Sequence, residues 1–248
     1  MTAPLRQVAV VTGGANGLGQ AIVRRLHTGG CHVAIADLDG SAAETLAAEL
    51  DGSTVKGYPV DVSVPAELTR LRAEVLADFG DVHILVNNAA LTQARPLLEI
   101  TAEELETVMA VNFSGTFHAC QLFGSYLAER GYGRIVNIAS LAGQNGGTTT
   151  GGHYASSKGA ILTATKVFAR ELAARGVTVN AVSPGPQDSP AVHSIVGEDN
   201  LDALARSIPV GRLGDPAFIA EMVALLASPG AASVTGACWD ANGGLYLR

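Results

Sequence analysis

Short strand-like runs, most of them rich in β-branched residues, alternate with helix-like segments along the whole chain. This alternation is typical of units in which a helix connects two parallel strands. The sequence therefore predicts an α/β fold with a seven-stranded, doubly wound parallel sheet and helices on both faces. The predicted strands are Val8–Thr12, His32–Ala36, Thr54–Val60, Ile84–Asn87, Arg134–Ser140, Thr178–Val182 and Cys238–Asp240.

The length of the chain, 248 residues, suits one α/β domain with a sizeable core, and we predict a single domain over residues 1–248. The loosest segments, 143–152 and 184–200, each follow a predicted strand at its carboxyl end. Ligands bind at that edge of an open parallel sheet. We expect a lid over the ligand site at about residues 186–208.

The charge balance and the spacing of charges argue against two classes of partner. The formal net charge is −7, which opposes attraction to nucleic acid or to an anionic membrane surface. Charged residues interrupt every apolar run well before the roughly 18 residues that a membrane span needs. The segment Met1–Gln7 shows no signal-peptide pattern. We expect no nucleic acid partner, no membrane partner and a cytoplasmic location.

The three cysteines, Cys31, Cys120 and Cys238, are far apart and stand in apolar sequence. An odd number of cysteines without a short spacing does not suit a disulfide framework or a metal site. We therefore predict buried, reduced thiols and no bound metal.

Glycines follow the first predicted strand at positions 13, 17 and 19, where the chain turns into a helix. Such a turn lets the backbone approach a pyrophosphate, and the helix presents its N-terminal amides and positive dipole end. The pattern predicts a dinucleotide site of the Rossmann type. A tight turn without a ligand is the alternative that the glycines alone leave open.

Asp37 ends the second predicted strand, 24 positions after Gly13. At this place in a dinucleotide fold, a carboxylate accepts hydrogen bonds from the adenosine ribose hydroxyls and repels a 2′-phosphate. Neither the segment 12–20 nor the residues directly after Asp37 contain an Arg or Lys to neutralise such a phosphate. The predicted cofactor is therefore NAD, with NADP disfavoured. In the alternative, Asp37 and Asp39 only form a turn before Gly40.

Tyr154 and Lys158 stand four residues apart at the start of a long apolar-periodic segment, and Ser140 lies 14 positions before the tyrosine. Residues at a spacing of four share one face of a helix. A cation beside a phenol favours the phenolate and lowers the tyrosine pKa from its usual value of about 10. The pair predicts a tyrosine acid/base near neutral pH. A half-exposed helical pair is the alternative for an isolated match.

Taken together, these motifs resemble the short-chain dehydrogenase/reductase family over essentially the whole chain. The stretch from Asp240 to Gly244 is similar to the tails of bacterial 3-oxoacyl-carrier-protein reductases. The segments that carry the resemblance, besides the glycine turn, are Asp61-Val62, Asn87-Asn88-Ala89-Ala90, Asn112, Ser140, Tyr154, Lys158, Pro184-Gly185, Thr235-Gly236 and the tail just named.

The resemblance implies four catalytic residues. Ser140 would hold the substrate oxygen beside the phenol of Tyr154, and that phenol would act as the general acid/base. Lys158 would lower the pKa of the phenol and bind the nicotinamide ribose. Asn112 would hold a water that links the lysine to solvent, with a buried helix amide as the alternative.

The resemblance also implies the residues that bind the cofactor. Asp61 would accept the adenine amino group, or would be only the acid of a strand-end turn. Asn88 and Ala89 would lie beside the adenosine ribose, while Asn87 would hold backbone across the sheet. Ala90 stands where the family often has glycine. The full predicted set is Gly13, Asn16, Gly17, Leu18, Gly19, Asp37, Leu38, Asp61, Val62, Asn88, Ala89, Ala90, Tyr154, Lys158, Pro184, Gly185, Gln187 and Ser189.

The chain departs from the family's pattern directly after Pro184-Gly185. The family usually has an apolar residue and then Thr, which hold the nicotinamide carboxamide, whereas this chain has the segment 186–190 with the sequence PQDSP. Ser189 can replace the threonine hydroxyl. Gln187 and Asp188 add polar groups beside the reacting ring, where they could contact a polar substrate.

The function that the resemblance implies is hydride transfer between NAD(H) and a small secondary alcohol or ketone. Two alternatives remain open: a catalytically silent NAD-binding sensor and a carrier-protein 3-oxoacyl reductase. The loops 141–153 and 191–207 contain no cluster of Arg or Lys, so a strongly anionic thioester is unsupported. The resemblance, together with broad apolar faces on the predicted helices Glu103–Glu129 and Tyr154–Ala174, predicts a homotetramer.

Overall fold

The computed structural model of the protein describes residues 6–147 and 150–247. Its seven strands form one sheet in which every neighbouring pair is parallel, and this confirms the predicted α/β fold. The strands are β1 (Val8–Thr12), β2 (His32–Asp37), β3 (Val55–Pro59), β4 (Ile84–Asn87), β5 (Gly133–Ile138), β6 (Val177–Pro184) and β7 (Cys238–Ala241).

Helices cover both faces of the sheet, so the central strands β1, β4, β5 and β6 are buried along their whole length, whereas the edge strands β3 and β7 are partly exposed. The α-helices of the described residues are α1 (Gly17–Thr28), α2 (Gly40–Leu50), α3 (Pro65–Phe79), α4 (Ala102–Met109), α5 (Gly115–Arg130), α6 (Ala142–Asn145), α7 (Gly152–Leu172), α8 (Pro190–Val196), α9 (Leu201–Ser207) and α10 (Pro216–Ala227). Helices α3, α5 and α7 pack against one face, and α1, α2 and α10 pack against the other.

The strand order places a cleft between β1 and β4. Across the sheet the order is β3-β2-β1-β4-β5-β6-β7, so the chain winds in one direction as far as β3 and then returns to the other side of β1. The loops after β1 and β4 therefore diverge at the carboxyl edge, which is where open parallel sheets bind ligands. This topology fixes the position of the candidate site.

A hydrogen-bonded link joins the two strands that border this cleft. The Asn88 Nδ2 donates to the carbonyls of Thr12 at 3.2 Å and Gly13 at 2.8 Å. In return, the Thr12 hydroxyl accepts from the backbone amides of Asn88 at 3.1 Å and Ala89 at 3.2 Å. Asn87, which was predicted to hold backbone across the sheet, instead donates to the side chain of Asn137 at 2.8 Å. The residue that crosses to neighbouring backbone is Asn88.

Several element boundaries differ from the prediction. Strand β6 is longer than the predicted Thr178–Val182, because its last residues pair with β7. The helix predicted over Glu103–Glu129 is divided by a π-helical turn, Ala110–Ser114, which separates α4 from α5. Strand β5 ends two residues before Ser140, so this serine belongs to the loop. The predicted lid is made of α8, a short turn and α9.

Two further predictions concern the cysteines and membrane-spanning helices. Cys120 is buried as expected, whereas Cys31 and Cys238 are only half-buried because they lie at strand ends. No helix within the described ranges is both long and apolar enough to cross a membrane. Thr148 and Thr149 of the loose segment 143–152 lie outside the described residues.

Candidate active site

A cavity of about 1180 Å³ lies at the carboxyl edge of the sheet. The loops after β1 to β6 and the first turns of α7 and α8 border it. Every residue predicted to bind cofactor or substrate lines this cavity, with the exceptions of Asn112 and Asp188. The sequence motifs therefore converge on one space, although they are spread over more than 170 residues of the chain.

The glycine turn at one end of the cavity needs glycine for two reasons: backbone conformation at Gly13 and Gly17, and lack of room for a Cβ at Gly13 and Gly19. Gly13 has φ +60° and Gly17 has φ +53°, in the left-handed region that favours glycine. A Cβ on Gly13 would lie 2.7 Å from the Cα of Ala89, and one on Gly19 would lie 1.9 Å from the Gly13 carbonyl oxygen. The N-terminus of α1 has no side-chain cap. Its free amides and the close backbone fit the pyrophosphate of a dinucleotide.

Asp37 is held rigidly at the end of β2. Its Oδ2 accepts from the Ala15 amide at 2.9 Å, and its Oδ1 accepts from the Asp39 amide at 3.1 Å. The carboxylate thus faces the cavity from a fixed position, with lone pairs left for ribose hydroxyls. Asp39 has a separate task, because its side chain caps α2 by accepting from the Ala42 amide. The turn alternative accounts for Asp39. Asp37 also takes part in that turn, but its carboxylate borders the cavity as well.

Asp61 and Leu38 stand at the end of the cavity that Asp37 borders. The Oδ1 of Asp61 accepts from the Ser63 amide at 2.9 Å and from the Ser63 hydroxyl at 2.6 Å, as in a strand-end turn. Both residues line the cavity together with Val62, and the Leu38 side chain is 77% exposed. An apolar side chain and a carboxylate at one end of the cavity suit a flat base with an amino group.

Ser140, Tyr154 and Lys158 meet at the other end of the cavity. The serine follows β5, while the tyrosine and the lysine lie one turn apart near the start of α7. The tyrosine side chain is hydrogen-bonded to the side chains of Ser140 and Thr92. The lysine is 2% exposed; its Nζ donates to the Ile138 carbonyl at 2.7 Å and lies 5.7 Å from the centre of the tyrosine ring. The lysine is therefore not half-exposed, whereas the tyrosine is partly exposed at the wall of the cavity.

Burial dominates the ionisation of this pair. It raises the pKa of Tyr154 above its usual value, although the hydrogen bonds from Ser140 and Thr92 act in the opposite direction. It also lowers the pKa of Lys158 to about 8. The expected lowering of the tyrosine pKa by the lysine is thus not found in this arrangement. The reason is that burial removes water from the phenolate, while the Lys158 Nζ is bonded to the Ile138 carbonyl and lies 5.7 Å from the centre of the tyrosine ring.

Asn112 lies in the π-helical turn, fully buried and outside the cavity lining. Its Oδ1 accepts from the Leu91 amide at 2.7 Å, and its Nδ2 donates to the Leu91 carbonyl at 3.0 Å and to the Ser157 hydroxyl at 3.0 Å. This geometry is that of the buried helix amide, and it ties the loop after β4 to α7. A water held by Asn112 stays a prediction.

Two residues of the site, Thr12 and Thr92, are not among the predicted site residues. The Thr12 hydroxyl links the two sides of the cleft, and the position of Thr12 directly before Gly13 could have identified it from the sequence. Thr92 contacts the tyrosine side chain from the loop after β4. No motif marks Thr92, because its position depends on how that loop folds over the sheet.

The departing segment after Pro184-Gly185 forms the wall beside the catalytic end. Gln187 and Ser189 both line the cavity. The Ser189 hydroxyl caps α8 by accepting from the Val192 amide at 3.4 Å. The first turn of the lid therefore uses the hydroxyl that the family pattern assigns to the cofactor. Asp188 points to the lid itself and does not line the cavity.

A histidine on the lid lies between two carboxylates. The Nε2 of His193 is 2.8 Å from Asp188 Oδ1, and its Nδ1 is 3.0 Å from Glu198 Oε1. A neutral imidazole has one N–H, and carboxylates only accept, so both contacts need the imidazolium. The hydrogen bond with Asp188 is the largest effect that raises the pKa of His193. These three side chains form a clasp across α8.

We predict that this clasp holds the lid at low pH and loosens as pH rises. A raised pKa means that the contribution is complete below the usual histidine value of about 6.5 and is lost as pH rises through the folded-state pKa. An NMR titration of the His193 ring in the wild type should give a pKa above 6.5. Asp188→Asn should lower that pKa; an unchanged value in the variant would contradict the clasp.

Comparison with known proteins agrees with the geometry. A family model described as enoyl-(acyl carrier protein) reductase matches residues 13–246. A 3-oxoacyl-[acyl-carrier-protein] reductase of Vibrio cholerae is 36% identical over 241 residues, which cover 97% of this chain and 98% of the relative. A D-threitol dehydrogenase of Mycolicibacterium smegmatis is 37% identical over 98% of this chain and 94% of its own length. A 2-dehydro-3-deoxy-L-rhamnonate dehydrogenase (NAD(+)) of a Sphingomonas species is 35% identical over 95% of this chain and 94% of the relative.

Proposed function

The chain belongs to the short-chain dehydrogenase/reductase family of oxidoreductases, and we propose that this member transfers a hydride between NAD(H) and a small secondary alcohol or ketone. The observation that carries the proposal is the convergence of two motifs in one cavity. The glycine turn and Asp37 border one end, and Ser140, Tyr154 and Lys158 meet at the other. A dinucleotide that spans the cavity would place its nicotinamide beside the phenol.

The residues of the chain handle the proton, and the nicotinamide, when bound, supplies or accepts the hydride. Tyr154 takes the hydroxyl proton of an alcohol, or gives its own proton to the oxygen of a ketone. Ser140 holds that oxygen beside the phenol and stabilises the charge that develops on it. Lys158 contributes a buried positive charge at the same end of the cavity, fixed by its bond to the Ile138 carbonyl.

NAD is the cofactor that the electrostatics of the cavity favour. The only cationic side chain among the described lining residues is that of Lys158, at the far end from Asp37. A 2′-phosphate beside the Asp37 carboxylate would meet a like charge without compensation. One similar protein carries NAD(+) in its name, which agrees with this choice.

A second candidate, a carrier-protein 3-oxoacyl reductase, is favoured by the similarity to the Vibrio cholerae enzyme. The charge of the cavity speaks against it, because an anionic carrier and its thioester would find no exposed cation among the lining residues. Turnover of a 3-oxoacyl carrier thioester in preference to simple ketones would establish the second candidate.

We also propose a homotetramer in the cytoplasm. Apolar side chains that do not pack against the sheet remain exposed on two helices. The exposed fractions are 45% for Val167 on α7, and 60% and 57% for Phe218 and Leu225 on α10. Exposed apolar groups at helical spacing suit contacts between copies of the chain. Light scattering on the purified protein would give the mass of the assembly, and a monomeric mass would contradict this part of the proposal.

Replacing Tyr154 by Phe tests the assignment of the acid/base. We expect kcat for secondary alcohols with NAD to fall by roughly 10²- to 10⁴-fold, the usual worth of a positioned proton-transfer group. NADH formation at 340 nm is the measurement, and the melting temperature reports folding. Tyr58→Phe is the matched control, because Tyr58 is a buried tyrosine whose hydroxyl bonds to Asp78 outside the cavity. Equal turnover in Tyr154→Phe and wild type would reject the assignment.

Replacing Asp37 by Ala tests the choice of cofactor. Calorimetric titration of the wild type should give a lower Kd for NAD than for NADP. In the variant, NAD should bind more weakly and NADP more tightly, because both the acceptor and the repulsive charge are gone. Asp39→Ala removes a neighbouring carboxylate that caps α2 outside the cavity, so it should leave the ratio of the two constants unchanged. Tighter binding of NADP by the wild type would overturn the NAD assignment.

A further inference from the structure

The loop after β4 is bound on both sides of Thr92. On one side, the Leu91 amide donates to the Asn112 Oδ1 at 2.7 Å, and the Leu91 carbonyl accepts from the Asn112 Nδ2 at 3.0 Å. On the other side, the Gln93 carbonyl accepts from the Gly151 amide at 2.9 Å. Because hydrogen bonds fix both of its neighbours, the backbone of Thr92 has a defined position.

A buried histidine adds a side-chain bond to the second of these attachments. His153 is 2% exposed, and its Nε2 lies 3.3 Å from the Gln93 Oε1. An amide oxygen only accepts, so the imidazole carries a hydrogen on Nε2. A Cβ on Gly151 would lie 2.2 Å from the His153 Cε1 and 2.8 Å from the Gln93 carbonyl oxygen. The glycine leaves room for both partners, and the loop therefore packs directly on the start of α7.

The Thr92 side chain reaches the phenol of the acid/base. Thr92 lines the cavity, and its side chain is hydrogen-bonded to that of Tyr154. This bond favours the phenolate, so the threonine hydroxyl is the donor and the phenolic oxygen is the acceptor. His153 directly precedes Tyr154 in α7, so the turn of helix that holds Gln93 also carries the phenol. The loop and the phenol are thus fixed to the same part of the helix.

Hydroxyl groups are the donors that the described chain places at the phenolic oxygen. Ser140 approaches it from the loop after β5, and Thr92 approaches it from the loop after β4. Lys158 is the only cation among the described lining residues, and it donates to the Ile138 carbonyl at 5.7 Å from the ring centre. The acidic residues of that lining stand at the nucleotide end. In the proposed reaction Ser140 holds the substrate oxygen, which leaves Thr92 as the donor to the phenolic oxygen.

From these contacts we propose that Thr92 is a further catalytic residue, whose hydroxyl donates to the phenolic oxygen of Tyr154 during proton transfer. Gln93 and His153 are positioning residues that hold Thr92 in place. The inference rests on the proposed function. In alcohol oxidation the hydroxyl proton passes to the Tyr154 oxygen, the carbinol hydrogen leaves as hydride to the nicotinamide, and Thr92 keeps its own proton throughout.

Two substitutions at Thr92 test the catalytic part of this inference. Thr92→Val keeps the shape of the side chain and removes the donor, whereas Thr92→Ser keeps the donor. Loss of a donor that favours the phenolate should raise the midpoint of the pH profile of kcat/KM for alcohol oxidation by about one pH unit. Below the midpoint, kcat/KM should fall by roughly three- to ten-fold. Thr92→Ser should keep the wild-type profile. The measurement is NADH formation from a secondary alcohol across a series of buffers.

The outcomes separate this inference from the proposed function. An unchanged profile in Thr92→Val, or the same shift in Thr92→Ser, would refute the role of Thr92 and leave the dehydrogenase intact. If the wild type forms no NADH with any alcohol, the proposed function fails and this inference fails with it. Thr92 is partly exposed in the cavity wall, so neither substitution leaves a buried void, and melting temperatures report folding.

A double-mutant cycle tests the positioning residues. Gln93→Leu and His153→Phe each remove one side of their contact. Each should raise the midpoint in the same direction as Thr92→Val but by less, because the backbone bond of Gln93 remains. When either is combined with Thr92→Val, the midpoint should rise no further than in Thr92→Val alone, because the hydroxyl that they position is already gone.

The chain supplies a matched control for this cycle. The side chains of His118 and Gln121 form the same kind of contact, also at 3.3 Å, on α5 and outside the cavity lining. His118→Phe and Gln121→Leu should therefore leave the midpoint of the pH profile as in the wild type. Full additivity of the site variants with Thr92→Val, or an equal shift in the controls, would refute the positioning of Thr92 by Gln93 and His153.

Discussion

Parallel pairing of all seven strands is the constraint on which the site depends. Because every strand points the same way, the loops that follow them meet at one edge, and the change of order beside β1 opens a cleft there. The bonds between Asn88 and the backbone at Thr12 and Gly13 then fix how the two rims of the cleft stand to each other. The glycine turn fits against the loop after β4 because Gly13 has no Cβ, which would lie 2.7 Å from the Cα of Ala89.

Burial at the catalytic end determines which ionisation states of the acid/base pair are favoured. Burial shifts Tyr154 and Lys158 in opposite directions on the pH scale, and each shift favours the neutral form. The phenol is therefore the stable form at neutral pH, ready to donate to a ketone oxygen. Ser140 and Thr92 oppose the shift at the phenol, so the phenolate that alcohol oxidation needs is stabilised locally by hydroxyl groups. For the stability of the phenolate, the positions of the Ser140 and Thr92 hydroxyls therefore matter as much as the position of the lysine.

Motifs whose spacing reflects local geometry predicted their structures well. The glycines at 13, 17 and 19 mark a turn whose dihedral angles and close contacts need glycine, and Tyr154 and Lys158 share a helix face at a spacing of four. Features that depend on packing between distant segments did not appear in the sequence. The π-helical turn at Asn112 exists because an amide there bonds to the loop at Leu91, and nothing in the local pattern of residues 103–129 indicates that partner. The contacts of the tyrosine–lysine pair likewise come from distant segments, because Ser140 and Thr92 contact the tyrosine and the Ile138 carbonyl accepts from the lysine.

Substrate choice belongs to this second class of features, and it is separable from the hydride chemistry. Proteins whose names state different substrates are similar to this chain at 35% to 37% identity, so overall likeness does not rank them. The glycine turn and the catalytic end would serve any carbinol in the same way, because they face the cofactor and the reacting carbon. What distinguishes one substrate from another must then lie in side chains that touch the rest of the molecule. In this chain the segment after β6 departs from the family pattern, and its Gln187 lines the cavity.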